Sequence, residues 1–150
     1  MDAVTYPNPK VAAFLNAHMI VVRVPHDAQP LATNFKVHST PTLVTLDSEG
    51  KEHHRLLGFQ PPDGLIAGLL LGIGRVHYDR ERFAEALAVL EELLAGYPGS
   101  DSVPEAIFLR GMSLYKILHN PGPLKEAYEK LQTGHPSSEW TMRARRYRLL

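Results

Sequence analysis

The sequence predicts a mixed α/β segment followed by all-α helical hairpins, and three observations carry that prediction. Residues 19–24 and 42–57 hold β-branched runs with a turn-rich tetrapeptide, Asp47-Ser48-Glu49-Gly50, between two of them. From Pro61 onward, apolar residues recur at spacings of three and four. The helical part also repeats itself, because Gly96-Tyr97-Pro98-Gly99-Ser100-Asp101 aligns with Gly134-His135-Pro136-Ser137-Ser138-Glu139 at an offset of 38 residues. The chain therefore divides into 1–72 and 73–150, with the first helix of the second part starting near 62.

The elements follow in order. Val11–Ala17 suits a short helix after Pro7-Asn8-Pro9, with Val11, Phe14 and Leu15 on one face. Met19–Val24 has the density of β-branched residues expected of a strand buried on both faces, and Pro25 ends it. Ala28–Phe35 suits a second short helix, capped by Asp27 with Pro30 in its first turn. Thr42–Leu46 and Lys51–Leu57 form an antiparallel hairpin, since Gly50 can supply a positive φ at the turn. Pro62 then opens a helix to about Tyr78 that carries Leu65, Ile66, Leu69, Leu70 and Ile73 on one broad face. Further helices are expected at Arg82–Ala95, Ser102–Leu118, Pro121–Leu131 and Trp140–Leu149.

Composition narrows the function classes. With 16 basic and 16 acidic side chains the net charge is zero, which gives no general attraction to nucleic acid or to an anionic membrane. The apolar run Leu65–Ile73 is far shorter than the roughly 20 residues of a bilayer span. Met1–Lys10 lacks the basic and apolar regions of a signal peptide, so a cytoplasmic location is expected. No cysteine is present, which removes disulfides, thiolate metal sites and cysteine nucleophiles together.

Within the helical part, Gly74, Ala86 and Pro98 stand twelve residues apart, with Leu70, Ile73, Leu90 and Leu93 at packing positions. Small residues admit close helix approach, and a proline cannot continue the helix before it. This pattern resembles the tetratricopeptide repeat (TPR). A second repeat keeps Gly111 and Pro136, but has Leu124 where that family has alanine and Pro121-Gly122-Pro123 in its inter-helix turn. An ordinary helical bundle is the alternative. The resemblance implies a concave surface that binds peptides or partner proteins.

In the first part, Phe35-Lys36-Val37-His38-Ser39-Thr40-Pro41-Thr42-Leu43-Val44, followed by a hairpin, Gly58-Phe59 and a helix, resembles the C-terminal half of a thioredoxin domain. The resemblance implies a cis proline at Pro41, with Thr40 and Pro41 presenting backbone to an extended peptide. A proline opening a strand is also ordinary without that role. The Cys-x-x-Cys motif of that family is missing, as are its opening strand, first helix and central strand. Two readings follow from the departure: a truncated sheet that a homodimer completes, or the C-terminal piece of a thiol-disulfide oxidoreductase whose motif lies upstream of Met1. As given, the chain is expected to be a non-catalytic module for a peptide or protein partner, without cofactor and without enzymatic turnover.

Other chemistry is weaker. Of the eight histidines, His53 and His54 are strand neighbours that point to opposite faces, and His18, His26 and His38 lie at one end of the expected sheet. Surface or internally bonded histidine is expected rather than a metal site. Arg143, Arg145, Arg146 and Arg148 give the last ten residues a charge of +4, which the acidic helix faces around Glu91, Glu92, Glu126 and Glu129 can balance; no nucleic-acid or membrane partner is expected. Gly72-Ile73-Gly74 follows no strand and lacks a third glycine, so it is not a dinucleotide loop.

Overall fold

Asn8 caps the first helix by accepting the Lys10 amide at 2.9 Å, and Pro9 occupies the position where a missing N–H costs nothing. In the computed structural model, which describes all 150 residues, the elements are α1 (Pro9–His18), α2 (Leu31–Asn34), β1 (Thr42–Leu46), β2 (Glu52–Leu57), α3 (Pro62–Asp79), α4 (Phe83–Gly96), α5 (Val103–Leu118), α6 (Gly122–Gly134) and α7 (Glu139–Ala144), followed by a 3₁₀ turn at Arg145–Leu149. The protein is thus mostly helical, with one small sheet of two antiparallel strands. No helix is long and apolar enough to cross a membrane.

The hairpin forms as its residues dictate. Asp47 Oδ1 accepts the amides of Glu49 and Lys51, both at 2.9 Å, and Gly50 takes φ +81° to close the turn. Thr42 pairs with Leu57 and Thr45 with His54, but Leu46 pairs with Glu52, so His53 is the extra residue of a β-bulge. Pro41 precedes β1 through a cis Thr40–Pro41 peptide, and its carbonyl accepts the Gly58 amide at 2.9 Å.

Helix α3 holds the core. Every residue from Leu65 to Gly72 is buried, where the sequence places one apolar face. The other side is covered because the hairpin packs there: a Cβ at Gly68 would lie 2.6 Å from Leu56, and one at Gly72 would lie 2.6 Å from the Thr45 hydroxyl. Only glycine admits the hairpin this close. One core links Val11 of α1 and Leu65–Leu71 of α3 with Leu90 and Leu93 of α4 and with Val103, Ala106 and Leu109 at α5. The division at residue 72 falls inside α3.

The hairpins α3–α4 and α5–α6 stack in succession and close at small residues. A Cβ on Gly74 would meet Leu90 of α4 at 3.0 Å, and one on Gly111 would meet Ala127 of α6 at 2.7 Å, sixteen positions on in both cases. Ala86 is fully buried. The exits match as well: Tyr97 (φ −134°, ψ 53°) and His135 (φ −140°, ψ 54°) donate their amides to Leu93 and Leu131, and Pro98 and Pro136 enter the turns that follow. Where the first repeat has Ala86, the second uses Leu124 for burial and Ala127 for the close contact.

Three expectations are corrected. Met19–Val24 is not a buried strand: it runs with neither turn nor bend, pairs with nothing and is exposed from Ile20 onward, because no neighbouring strand exists to receive it. The helix expected over Ala28–Phe35 shrinks to one turn after Pro30, and Asp27 caps nothing, since a residue before proline is disfavoured in helical conformation. The helix expected over Trp140–Leu149 ends at Ala144 and tightens into the 3₁₀ turn.

The close α5–α6 contact predicts that Gly111→Ala lowers stability by about 1–3 kcal/mol through overpacking. Gly96→Ala, where a Cβ meets nothing within 4 Å, should leave stability unchanged or raise it by up to about 1 kcal/mol. Urea unfolding midpoints of the two variants decide the point; equal effects would show that the α5–α6 contact is not tight.

Candidate functional site

Two surfaces and one joint stand out. The first surface is the run Ile20–Val24, whose backbone N–H and C=O groups make no hydrogen bond within the protein. Its side chains face water: Ile20 is 96% exposed, Val21 61%, Val22 75% and Val24 41%. Backbone and apolar side chains unsatisfied together are what a strand presents when its partner is missing. Strand β1 adds a free edge, since it pairs only with β2. Thr40 is exposed, with both backbone groups unbonded, and Pro41 is half-buried beside it.

The second surface is a polar cleft of about 490 Å³ on the side where α3, α5 and α7 meet β2. Arg75 of α3 donates its Nε–H to Glu105 of α5 and a second N–H to the His53 carbonyl at 3.3 Å. Glu105 is nearly buried, and that burial raises its pKa against the lowering effect of Arg75. The guanidinium groups of Arg75 and Arg143 lie 5.9 and 4.5 Å from the Trp140 ring centre, a cation–π arrangement that fixes the indole across the cleft. His54 reaches the same cleft with Nε2 buried and unpartnered. Burial first, and Arg75 second, push its pKa down to about 4, so the imidazole is neutral at neutral pH. Arg55 and Glu52 pair bidentately at 2.8 and 2.7 Å on the rim.

The joint is His53. Its imidazole is buried, with Nδ1 2.6 Å from Asp79 and Nε2 3.0 Å from Asp47. Arg80 joins Asp47 at 3.4 Å and Glu49 at 2.5 Å. The hydrogen bond from His53, followed by the Lys51 amide, holds the Asp47 carboxyl well below the usual carboxylate range. This cluster fastens the hairpin turn to the C-terminal end of α3.

The residues singled out from sequence are therefore dispersed. Thr40 and Pro41 lie at the β1 edge, whereas Gly74, Ala86, Pro98, Gly111 and Pro136 serve helix packing and turns. His18, His26 and His38 are exposed, and no group of three or more His, Cys, Asp or Glu side chains is placed to hold a metal ion. Of the basic tail, Arg143 is drawn onto Trp140 and Glu139. No local pattern in the sequence marks Arg75, Glu105 and Trp140, because they lie on three separate helices. The adjacency of Asp47 to a turn was visible, but its reach to His53 was not. Compared with protein-family models, curated proteins and solved structures, the chain matches none.

Two predictions follow. His53→Ala removes the buried imidazole that joins Asp47 to Asp79 and should lower stability by about 1–3 kcal/mol, with a smaller loss for His53→Gln, which restores one donor. Acid should also destabilise the fold. The unfolded chain takes up a proton at His54 near 6.5 and the folded chain only near about 4, so stability falls as pH drops through that interval. Below it, protonation of Asp47 removes more. Melting temperatures measured from pH 7 down to pH 4 should show a shallower decline for His54→Gln; an unchanged slope would mean that the ring is not desolvated.

Proposed function

We propose that the chain is a non-catalytic protein-interaction module that takes an extended peptide or protein segment as its partner. The observation that carries this reading is the run Ile20–Val24, apolar, exposed and without one backbone hydrogen bond. A segment of that kind gains both main-chain hydrogen bonds and apolar burial by adding to another strand, which is the physics of β-augmentation. The free edge of β1 and the open backbone of Thr40 offer the same chemistry next to Pro41.

The order helix, extended run, short helix, proline, hairpin and helix supports reading the first part as a truncated thioredoxin-like sheet. The matching exits of α4 and α6 and the close contacts at Gly74 and Gly111 support reading the second as TPR-like hairpins. On this reading the helical array is the scaffold and the polar cleft along α3, α5 and α7 a secondary contact surface. A cytoplasmic location goes with it.

Selection of peptides from a random library on the immobilised chain tests the reading. A selected peptide should slow amide exchange within 20–24 or 40–46, and Val22→Lys should weaken its binding at least about tenfold. Failure to select any peptide, or protection confined to the α4–α7 helices, would sink it. Insulin reduction by dithiothreitol should proceed no faster with the chain than without it; measurable turnover would overturn the non-catalytic assignment.

A further inference from the structure

We infer that the partner of Ile20–Val24 is a second copy of this chain, the two segments pairing antiparallel about a two-fold axis through Val22. The inference rests on the interaction reading above and names its partner.

The segment is suited to pair with itself. In strand geometry, side chains alternate between faces, so Ile20, Val22 and Val24 share one face, and Met19, Val21 and Arg23 share the other. Met19 on the second face already packs against the core. The first face is wholly apolar and stands out in water. An antiparallel register centred on Val22 sets Ile20 opposite Val24, Val22 opposite Val22 and Val24 opposite Ile20. The six side chains then form one unbroken apolar stripe of β-branched pairs, the combination that stabilises strand pairing.

Charge agrees with the same register. Arg23 is the one charged side chain of the segment, and the symmetry sets it opposite Val21, so the two guanidinium groups never face each other. Each Arg23 stays bound to an exposed Asp2 at 3.0 Å, clear of the apolar face. The pairing is isologous, each copy giving the edge that it receives. A foreign peptide would have to supply that match from another sequence.

The exposed side chains of residues 20–24 form a patch of the size that monomers seldom leave unused, and pairing packs the flanks of neighbouring side chains together while it bonds the backbone edges.

Sedimentation equilibrium of the full chain tests the inference. The native chain should sediment at twice its 16.7 kDa mass. Val22→Lys, at a position that is 75% exposed and therefore dispensable for folding, should weaken dimerisation at least about a hundredfold with its circular dichroism unchanged. Because the chain has no cysteine, Val22→Cys provides a second readout. Copper-phenanthroline oxidation should convert it to a disulfide-linked dimer, while Leu149→Cys, equally accessible at 85% exposure on the last helical turn, should remain monomeric. A native chain that stays monomeric at every concentration overturns the inference, as does a dimer that survives Val22→Lys intact. If such a monomer still binds a selected peptide through Val22, the interaction reading stands without self-association. If Val22→Lys alters neither association nor peptide binding, both are wrong.

Discussion

Burial of α3 on every side is the constraint from which the remaining structure follows. A helix can be apolar all round only where other elements cover its whole circumference. Here the hairpin covers one flank, α1 another, and α4 and α5 the rest. The hairpin brings backbone-close packing to Gly68 and Gly72, and α4 brings Leu90 to Gly74. Glycine lowers the propensity of a helix by about 1 kcal/mol per residue relative to alanine. Three of the four glycines in α3, Gly68, Gly72 and Gly74, are tolerated because each admits a contact that a side chain would block.

Polar groups secure what that packing assembles. His53 sits between Asp47 of the turn and Asp79 at the end of α3, while Arg75 joins the β2 backbone to Glu105 of α5. These contacts span the chain from the hairpin to the helical array, so the two parts behave as one body around a shared core. Buried charge is stable only when its partners are present, and here each charge has at least one. The exposed run Ile20–Val24 lies outside this network, and its one charged side chain, Arg23, pairs with the exposed Asp2.

Much of the fold was legible in the residues. The hairpin followed from Asp47-Ser48-Glu49-Gly50, because an aspartate that can bond two amides and a glycine that can take positive φ define a tight turn locally. Helices α3 to α6 followed from apolar spacing, and the repeat followed from Gly-x-Pro steps 38 residues apart. Met19–Val24 is extended but unpaired for a physical reason: β-branched density shows that a segment favours strand conformation, not that another strand will lie beside it. The helix after Asp27 was overextended because Pro30 restricts the residue before it more strongly than Asp27 promotes a cap.

What the sequence by itself determined was local: the apolar-periodic helices between Pro62 and Gly134, the turn that joins the strands, and that no thiol chemistry is available to this chain. What only the tertiary structure decided was the company each residue keeps. His53 and His54 are neighbours in sequence, yet one lies between two carboxylates and the other is unpartnered in a cleft with Arg75 and Trp140. Arg75, Glu105 and Trp140 meet across three helices. Backbone conformation depends on side chains a few positions away, whereas burial, charge pairing and the exposure of Ile20–Val24 depend on segments tens of residues distant, and those distances close only on folding.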